Sequence, residues 1–280
     1  MMIFIIWDIN PQVIPGFEYL RWYGVCWMVG FLLGYQIIRK IYQKEGLSIE
    51  DLDRLTMYVM IGAIIGARLG HILFYDPIHY FNHPIEILPI RLNPTFQFTG
   101  LAGLASHGGI LGSLLALFLY TRKYPFNYLW LLDRLAIAGS VLGACIRLGN
   151  LMNSEIVGIP TTQSWAFIFT RLDQVPRHPT QIYEAISYLI IGLITYKIWQ
   201  SKKYDHRNGF IFGLGITLIF IQRFIIEFLK ENQVAFENQL TLNMGQALSI
   251  PLITVGVVIM IWTRRSGNEH TKKAVSASTH

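Results

Sequence analysis

The chain has 280 residues, of which 52% are hydrophobic and 14% are charged, whereas an average globular domain has about 25% charged residues. This shortage of charge excludes an ordinary water-facing surface and indicates a protein that lies in lipid. The net charge of +6 does not indicate nucleic-acid binding, because the basic residues form short clusters between apolar runs rather than one stripe.

Apolar runs long enough to cross a bilayer recur along the chain and predict an all-α integral membrane protein with about seven transmembrane helices. We expect one polytopic membrane domain over residues 1–265 and a disordered cytoplasmic tail over 266–280. Two segments rich in Pro, Asn, Thr and aromatic residues, 76–99 and 148–178, are predicted to form a small head on one side. The predicted spans are residues 19–38, 55–75, 100–121, 128–147, 179–196, 209–229 and 246–263.

The distribution of basic residues predicts the orientation of these spans. Of the 23 basic residues, 15 fall in residues 264–280 and in segments 39–54, 122–134 and 197–208, and five fall on the opposite side. Cytoplasmic loops carry the excess of Lys and Arg. We therefore expect the N-terminus and the head to face the periplasmic side, and the C-terminus to lie in the cytoplasm.

In the second predicted span, Arg68, His71 and Tyr75 recur at i, i+3 and i+7 and share one helical face. An Arg at the centre of a membrane helix costs roughly 2.5–3.5 kcal/mol on insertion scales, so function is the default reason for its presence. The face either lines a polar cavity or pairs internally as a structural network. The spacing does not decide between them.

In the third predicted span, His107 is followed by Gly108 and Gly109, which allow another backbone to approach closely. A membrane His can donate a hydrogen bond to a neighbouring helix, or it can accept a proton near neutral pH. Both roles remain open on these residues alone.

Arg147 ends the fourth predicted span and is followed by Asn150, Asn153 and Glu155, with Gly158 just beyond. Such a cluster of amides and carboxylates at the membrane surface can bind a lipid head group. The other interpretation is a helix C-terminus with solvated caps, from which Arg147 reaches out to water.

The fifth predicted span opens with a similar group of polar residues, His178, Gln181, Tyr183 and Glu184, with Pro179 suited to a first helical turn. Glu184 either is buried against a donor or belongs to a functional site.

In the sixth predicted span, Arg223 and Glu227 are four residues apart, close enough to form an ion pair. The pair can be purely structural. Alternatively, the guanidinium also binds a phosphate, because its planar fork matches phosphate oxygens.

Other chemistries have little support. His79 and His83 are four residues apart, but Pro84 follows and no third metal ligand is evident. The sequence contains no phosphate-binding loop that ends in Lys-Ser or Lys-Thr, no dinucleotide fingerprint and no G-x-S-x-G elbow. We therefore expect no metal and no cofactor.

Taken together, seven segments resemble the prolipoprotein diacylglyceryl transferase family. They occur in the family order and cover nearly the whole chain, and the most specific part is the Arg147 segment with HGG upstream. The segments are RWYG at 21–24, GARLGHILFYD at 66–76, HGGILG at 107–112, RLGNLMNSEIVG at 147–158, RHPTQIYEA at 177–185, RFIIEF at 223–228 and MGQALSIP at 244–251.

The resemblance implies that the diacylglyceryl group of phosphatidylglycerol passes to the lipobox cysteine thiol in the signal peptide of a prolipoprotein. A thioether forms and glycerol phosphate leaves, in the bacterial inner membrane and without a cofactor. The motifs imply His107 as the base, with Arg147 and Arg223 as a clamp on the phosphate. The implied substrate-binding residues are Tyr23, Asn150, Glu155, Gly158 and Glu227.

Two positions depart from the family pattern. Ile219 lies four residues before Arg223, where family members have Tyr, and residues 103–106 read GLAS rather than G-x-S-F. The alternative from another functional class is a transporter or flippase for an anionic lipid or solute, which also needs arginines in a membrane cavity. The lack of an internal inverted repeat is evidence against it.

Overall fold

The structure is a computed structural model that describes residues 4–17, 20–88, 90–91, 97–98, 103–204, 207–232 and 240–277. It is mostly helical, with two small sheets. The helices are α1 (Trp22–Lys44), α2 (Ile49–Tyr75), α3 (Pro77–Asn82), α4 (Ser106–Lys123), α5 (Tyr128–Met152), α6 (Thr180–Gln200), α7 (Phe210–Glu227) and α8 (Met244–Ala277). The strands are β1 (Ile5–Trp7), β2 (Ile90–Arg91), β3 (Gln97–Phe98), β4 (Phe167–Phe169) and β5 (Pro176–Arg177), and a 3₁₀ helix spans Pro84–Ile87.

Five of the described helices are long and apolar enough to cross a membrane, namely α2, α5, α6, α7 and the part of α8 from Met244 to Arg264. The remaining two predicted spans, 19–38 and 100–121, correspond to α1 and α4, apart from residues 19 and 100–102, which lie outside the described residues. Both helices end in basic residues, which lowers their mean hydropathy. The structure therefore supports a mostly helical membrane protein, with five candidate membrane spans among the described residues.

The chain divides into two compact units, a large unit of Met1–Ile41 with Leu129–His280 and a small unit of Tyr42–Tyr128. The sequence predicts a single domain over residues 1–265. The two segments predicted to form one head belong to different units, because 76–99 lies in the small unit and 148–178 in the large one. Residues 89, 92–96 and 99 of the first segment lie outside the described residues.

In the small unit, α2 and α4 pack closely because glycines face each other. Gly62, Gly66 and Gly70 of α2 lie against Gly108 and Gly112 of α4. A Cβ atom at Gly66 would meet the Gly108 carbonyl oxygen and would lie 2.7 Å from the Gly112 Cα. Small residues are typical of helix contacts in membranes, where backbones approach without an intervening side chain.

Arg68 of the small unit ties a loop to α2. Its Nε donates to the Ile87 carbonyl at 2.9 Å, its Nη2 to the Glu86 carbonyl at 2.5 Å and its Nη1 to the Gly103 carbonyl at 3.3 Å. The guanidinium also lies 5.0 Å from the centre of the Tyr80 ring. Of the two interpretations of this helical face, these contacts fit the structural network.

In the large unit, β1 pairs in parallel with β4, and β4 pairs antiparallel with β5. The sequence did not indicate this sheet, since two- and three-residue strands are too short to show alternation. Phe167 and Phe169 of β4 form an apolar core with Leu151 and Val157. Trp7 packs on that core and donates its indole N–H to the Leu151 carbonyl at 3.0 Å. The sheet thus fixes the segment that follows α5.

The start of α7 is held by a side chain from α5. The carboxylate of Asp133 accepts hydrogen bonds from the backbone N–H groups of Gly209 at 2.7 Å and Phe212 at 2.8 Å. The first N–H groups of a helix have no partner within the helix, so a buried carboxylate there both satisfies and anchors them.

Helix α8 extends to Ala277, and residues 278–280 lie outside the described residues. The predicted domain boundary at residue 265 and the predicted tail beyond it stay predictions.

Candidate active site

Glu184 lies at the centre of a buried charge cluster in the large unit. The side chain of Glu184 is 0% exposed. Its Oε2 lies 3.0 Å from Arg147 Nε, and its Oε1 accepts a hydrogen bond from Lys230 Nζ at 2.9 Å. Lys230 Nζ also donates to Glu227 Oε2 at 3.0 Å. We name Arg147, Glu184, Glu227 and Lys230 the buried charge cluster; its two cations and two anions compensate one another, as burial requires.

Helix ends bring these four residues together. Arg147 lies near the end of α5, Glu184 near the start of α6 and Glu227 at the end of α7. Lys230 follows in the turn after α7, where its backbone forms a bridge with Gly158.

A glycine leaves room for one member of the cluster. A Cβ atom on Gly245, at the start of α8, would lie 2.5 Å from the carboxyl carbon of Glu227. Any larger residue at this position would displace that carboxylate.

A chain of amides and carboxylates extends from Arg147 away from the cluster. Arg147 Nη1 donates to Asn150 Oδ1 at 3.3 Å, and Asn150 Nδ2 donates to Glu155 Oε2 at 3.3 Å. Asn153 Nδ2 completes the chain by donating to Glu155 Oε1 at 3.1 Å. These hydrogen bonds join Arg147, Asn150, Asn153 and Glu155 into one polar chain, and binding of a lipid head group by this chain stays a prediction.

The loop that carries Glu155 has an unusual backbone. Ser154 and Ile156 have φ values of 56° and 57°, a left-handed conformation that is an outlier for a β-branched residue. The start of α6 holds this loop, since Gln181 Nε2 donates to the Glu155 carbonyl at 2.6 Å and Thr180 Oγ1 donates to the Ile156 carbonyl at 2.9 Å. Strained residues of this kind concentrate at functional sites.

Tyr23 of α1 lies beside the same chain. A Cβ atom on Gly149 would lie 2.9 Å from the Tyr23 ring, so only glycine allows α1 to pack this closely on α5. The Tyr23 hydroxyl interacts electrostatically with Glu155 and Arg147. Tyr23, Arg147, Asn150 and Glu155 therefore belong to one group.

Gly158 lies where three backbone segments meet. Its N–H donates to the His178 carbonyl at 3.0 Å. A Cβ atom there would lie 2.6 Å from that same carbonyl oxygen and 2.7 Å from the Leu229 carbonyl oxygen. These contacts show that Gly158 is needed for packing of the backbone. The sequence predicts only a role in substrate binding for this residue.

The loops around Gly158 are held by a charged side chain outside the helices. Arg177 donates to Asp173 Oδ2 at 2.6 Å, to Glu231 Oε2 at 2.9 Å and to the Gly158 carbonyl at 3.4 Å. Its hydrogen bond lowers the pKa of Asp173 below the ordinary value for an Asp. The pair is therefore charged at neutral pH and keeps the loop closed.

The predicted ion pair between Arg223 and Glu227 is not formed, because the Glu227 carboxylate turns to Lys230 instead. Arg223 Nε is buried and, among the described residues, has no hydrogen-bond partner. Arg223 thus retains the donor that the phosphate interpretation requires.

His107 lies in the first turn of α4 in the small unit and is exposed. Among the described residues it makes no hydrogen bond that would fit the role of a link between helices. The other predicted site residues, Tyr23, Arg147, Asn150, Glu155, Gly158, Arg223 and Glu227, lie in the large unit.

Sequence reasoning missed Lys230 as a site residue and left Glu184 undecided. In the sequence, Lys230 is one of the five basic residues on the predicted periplasmic side. A signal was present, since Lys230 follows Glu227 by three residues and Arg223 by seven. Its second partner, Glu184, is 46 residues away in sequence, and local spacing does not reveal such a contact.

Comparison with known proteins agrees with these observations. The prolipoprotein diacylglyceryl transferase family profile matches residues 12–262. A phosphatidylglycerol–prolipoprotein diacylglyceryl transferase of Bacteroides fragilis is 45% identical over 266 residues, which cover 94% of this chain and 96% of the relative. A protein of the same name from Tolumonas auensis is 46% identical over 257 residues, covering 91% and 96%, and one from Chloroherpeton thalassium is 42% identical over 260 residues, covering 92% and 93%. With matches at this level over nearly the whole chain, the protein belongs to the prolipoprotein diacylglyceryl transferase family.

Proposed function

We propose that this membrane protein transfers the diacylglyceryl group of phosphatidylglycerol to the lipobox cysteine thiol of a prolipoprotein signal peptide. The cysteine sulfur bonds to the glyceryl carbon, the bond from that carbon to the phosphate oxygen breaks, and glycerol phosphate leaves. The observation that carries the proposal is the guanidinium of Arg147, which is held by the buried Glu184 and joined to the Asn150 and Glu155 side chains. The named activity of the relatives supports the same reaction.

The reaction makes two demands on the protein. A thiol with an ordinary pKa of about 8.5 must lose its proton, and the charge on the departing phosphate must be stabilised. We assign the first task to His107, because its imidazole is exposed and histidine is the side chain that most often serves as a general base. We assign the second to Arg147 and Arg223, because guanidinium groups can bind phosphate oxygens through two hydrogen bonds each.

The neighbouring side chains orient the donor lipid in this proposal. Tyr23, Asn150 and Glu155 offer hydroxyl, amide and carboxylate groups for the head-group hydroxyls. Glu184 and Lys230 act as positioning residues, since they hold Arg147 and Glu227 without needing to touch the lipid. We assign no cofactor or metal, because the phosphate ester already supplies the leaving group.

A transporter or flippase for an anionic lipid has less support. Such a protein would also place arginines in the membrane, but the relatives that cover this chain carry the name of a transferase.

We further infer that residues 1–265 form one catalytic domain in the bacterial inner membrane, with seven spans that include α1 and α4. The N-terminus and the segments 76–99 and 148–178 then face the periplasm as a head, and the C-terminus lies in the cytoplasm. The asymmetry of 15 basic residues against five supports this orientation.

Labelling of single cysteines tests the orientation. With the two native free cysteines, Cys26 and Cys145, replaced by Ala, exposed positions are changed one at a time: Gln163→Cys, Gln43→Cys and Lys203→Cys. We expect a membrane-impermeant maleimide to label the Gln163→Cys protein in cells with a permeable outer membrane. The other two should react only after the inner membrane is opened. The reverse pattern would overturn the orientation.

Replacement of Arg147 by Lys tests the phosphate clamp. The substitution keeps the charge, but a compact ammonium does not supply two parallel hydrogen bonds. We expect the rate of lipid transfer from phosphatidylglycerol to a lipobox peptide to fall at least about tenfold. Purified protein in detergent, with mass spectrometry of the thioether product, gives the measurement.

The matched control for this variant is Arg134→Lys on the same helix. Arg134 is buried, whereas the Arg147 side chain is 13% exposed; Arg134 stacks on Trp130 at 3.9 Å and lies more than three turns away from Arg147. Its variant should transfer lipid at close to the wild-type rate. An Arg147→Lys protein as fast as wild type would remove the clamp, and a wild-type protein that forms no thioether would contradict the proposed function itself.

The variant His107→Asn tests the general base. Asparagine keeps a similar size and a polar amide but does not accept a proton at working pH. We expect the variant to fold and to bind phosphatidylglycerol, while transfer at neutral pH falls by about 10²-fold, a typical contribution of a general base. Raising the pH towards the thiol pKa should partly restore the rate, because solvent then supplies the thiolate.

Binding and transfer are measured from pH 6.5 to 9 for wild type, His107→Asn and the control His83→Asn, which changes another exposed histidine of the small unit. The control should behave as wild type. Transfer near the normal rate at neutral pH would exclude His107 as the base. Loss of lipid binding without rescue at high pH would instead make it a head-group or packing residue.

A further inference from the structure

Gln222 on α7 carries buried polar atoms that the fold leaves unused. Both atoms of its amide, Oε1 and Nε2, are buried and have no hydrogen-bond partner among the described residues. Arg223 Nε, on the next residue, is in the same state. An unpaired polar group is unfavourable inside a protein, and more so in lipid, where water does not replace the missing partner. Three such atoms on two consecutive residues indicate a binding site for a polar ligand.

Gln222 lies on the same face of α7 as residues of the proposed active site. Ile219, Gln222, Arg223 and Glu227 occur at i, i+3, i+4 and i+8, so they share one face of the helix. One end of this face is Glu227, which pairs with Lys230 in the buried charge cluster.

Ile219, at the other end of this face, also lies near Arg147. Ile219 packs against Ala144, Ala185 and Tyr188, and Tyr188 in turn interacts electrostatically with Arg147. Gln222 therefore lies between two points of α7 that both adjoin the group around Arg147.

The chemistry of the unpaired atoms matches one type of lipid head group. An amide has a donor and an acceptor, which suits a pair of neighbouring hydroxyls, whereas a guanidinium N–H suits a phosphate oxygen. Phosphatidylglycerol offers both, because its phosphate diester is followed by a glycerol with two free hydroxyls. We propose that Gln222 binds these terminal hydroxyls beside the phosphate on Arg223 and thereby makes the site selective for a glycerol head group.

This proposal rests on phosphatidylglycerol as the substrate in the proposed function and assigns a specificity residue within that site. It differs from a packing role for Gln222 in a way that can be measured. If the Gln222 amide is paired only when the ligand is bound, it destabilises the ligand-free protein. An apolar side chain of similar length should then stabilise the ligand-free protein. A glutamine that serves packing gives no such gain and no change in lipid selectivity.

The test compares wild type with Gln222→Met against two lipids of equal charge, phosphatidylglycerol and phosphatidylethanol, which has the same phosphate diester but no head-group hydroxyls. Binding is measured as the rise in thermal midpoint on titration with each lipid in detergent. We expect wild type to bind phosphatidylglycerol about tenfold more tightly than phosphatidylethanol. The variant should bind both lipids equally, and its ligand-free midpoint should rise by about 2 °C or more.

The matched control is Gln246→Met at the start of α8. Gln246 is also buried, but its Oε1 accepts a hydrogen bond from the Asn243 N–H at 3.1 Å. Its replacement should lower the midpoint and leave the lipid preference intact.

The proposal is overturned if Gln222→Met retains the preference for phosphatidylglycerol, if its midpoint falls as in the control, or if wild type does not distinguish the lipids. These readouts do not depend on turnover. A wild-type protein that shows the preference but transfers no lipid would therefore contradict the proposed function and not the assignment of Gln222.

Discussion

The carboxylate of Glu184 is the constraint on which the large unit depends. A fully buried carboxylate is tolerated only when it is paired, and here the two partners are Arg147 on α5 and Lys230 after α7. Removing one partner from a buried pair typically costs about 3–5 kcal/mol, because the remaining charge stays in an apolar surrounding. The ends of α5 and α7 are thus tied to the start of α6, and the guanidinium of Arg147 has little freedom to turn.

Other contacts extend the same constraint to α7. Asp133 fixes the start of the helix, and the Glu227 carboxylate, packed against Gly245, fixes its end. The stretch between them, with Gln222 and Arg223, is therefore held, while three of its polar atoms have no hydrogen-bond partner in the described part of the chain. A rigid scaffold with unsatisfied groups is what binding of a polar ligand requires, since the scaffold need not reorganise when the ligand arrives.

Local spacing was enough to predict the parts of the site that lie within one segment. The group of Arg147, Asn150 and Glu155 follows from helical and loop neighbours, and five candidate spans follow from hydropathy. The contact between Lys230 and Glu184 did not follow, because it joins distant segments. The pairing of Arg223 with Glu227 was wrong for a related reason, since helical spacing shows which residues can meet but not which competing partner is closer.

We propose that Glu184 acts by holding Arg147 against the phosphate, and a double-mutant cycle on kcat/KM for lipid transfer tests this role. The cycle comprises wild type, Glu184→Gln, Arg147→Lys and the double variant, each checked for folding by its thermal midpoint. If Glu184 works through Arg147, the double variant should be about as slow as the slower single variant, with a coupling of at least about 1 kcal/mol. Losses that add within about 0.3–0.5 kcal/mol would contradict this role of Glu184, because they would show that the two residues act independently.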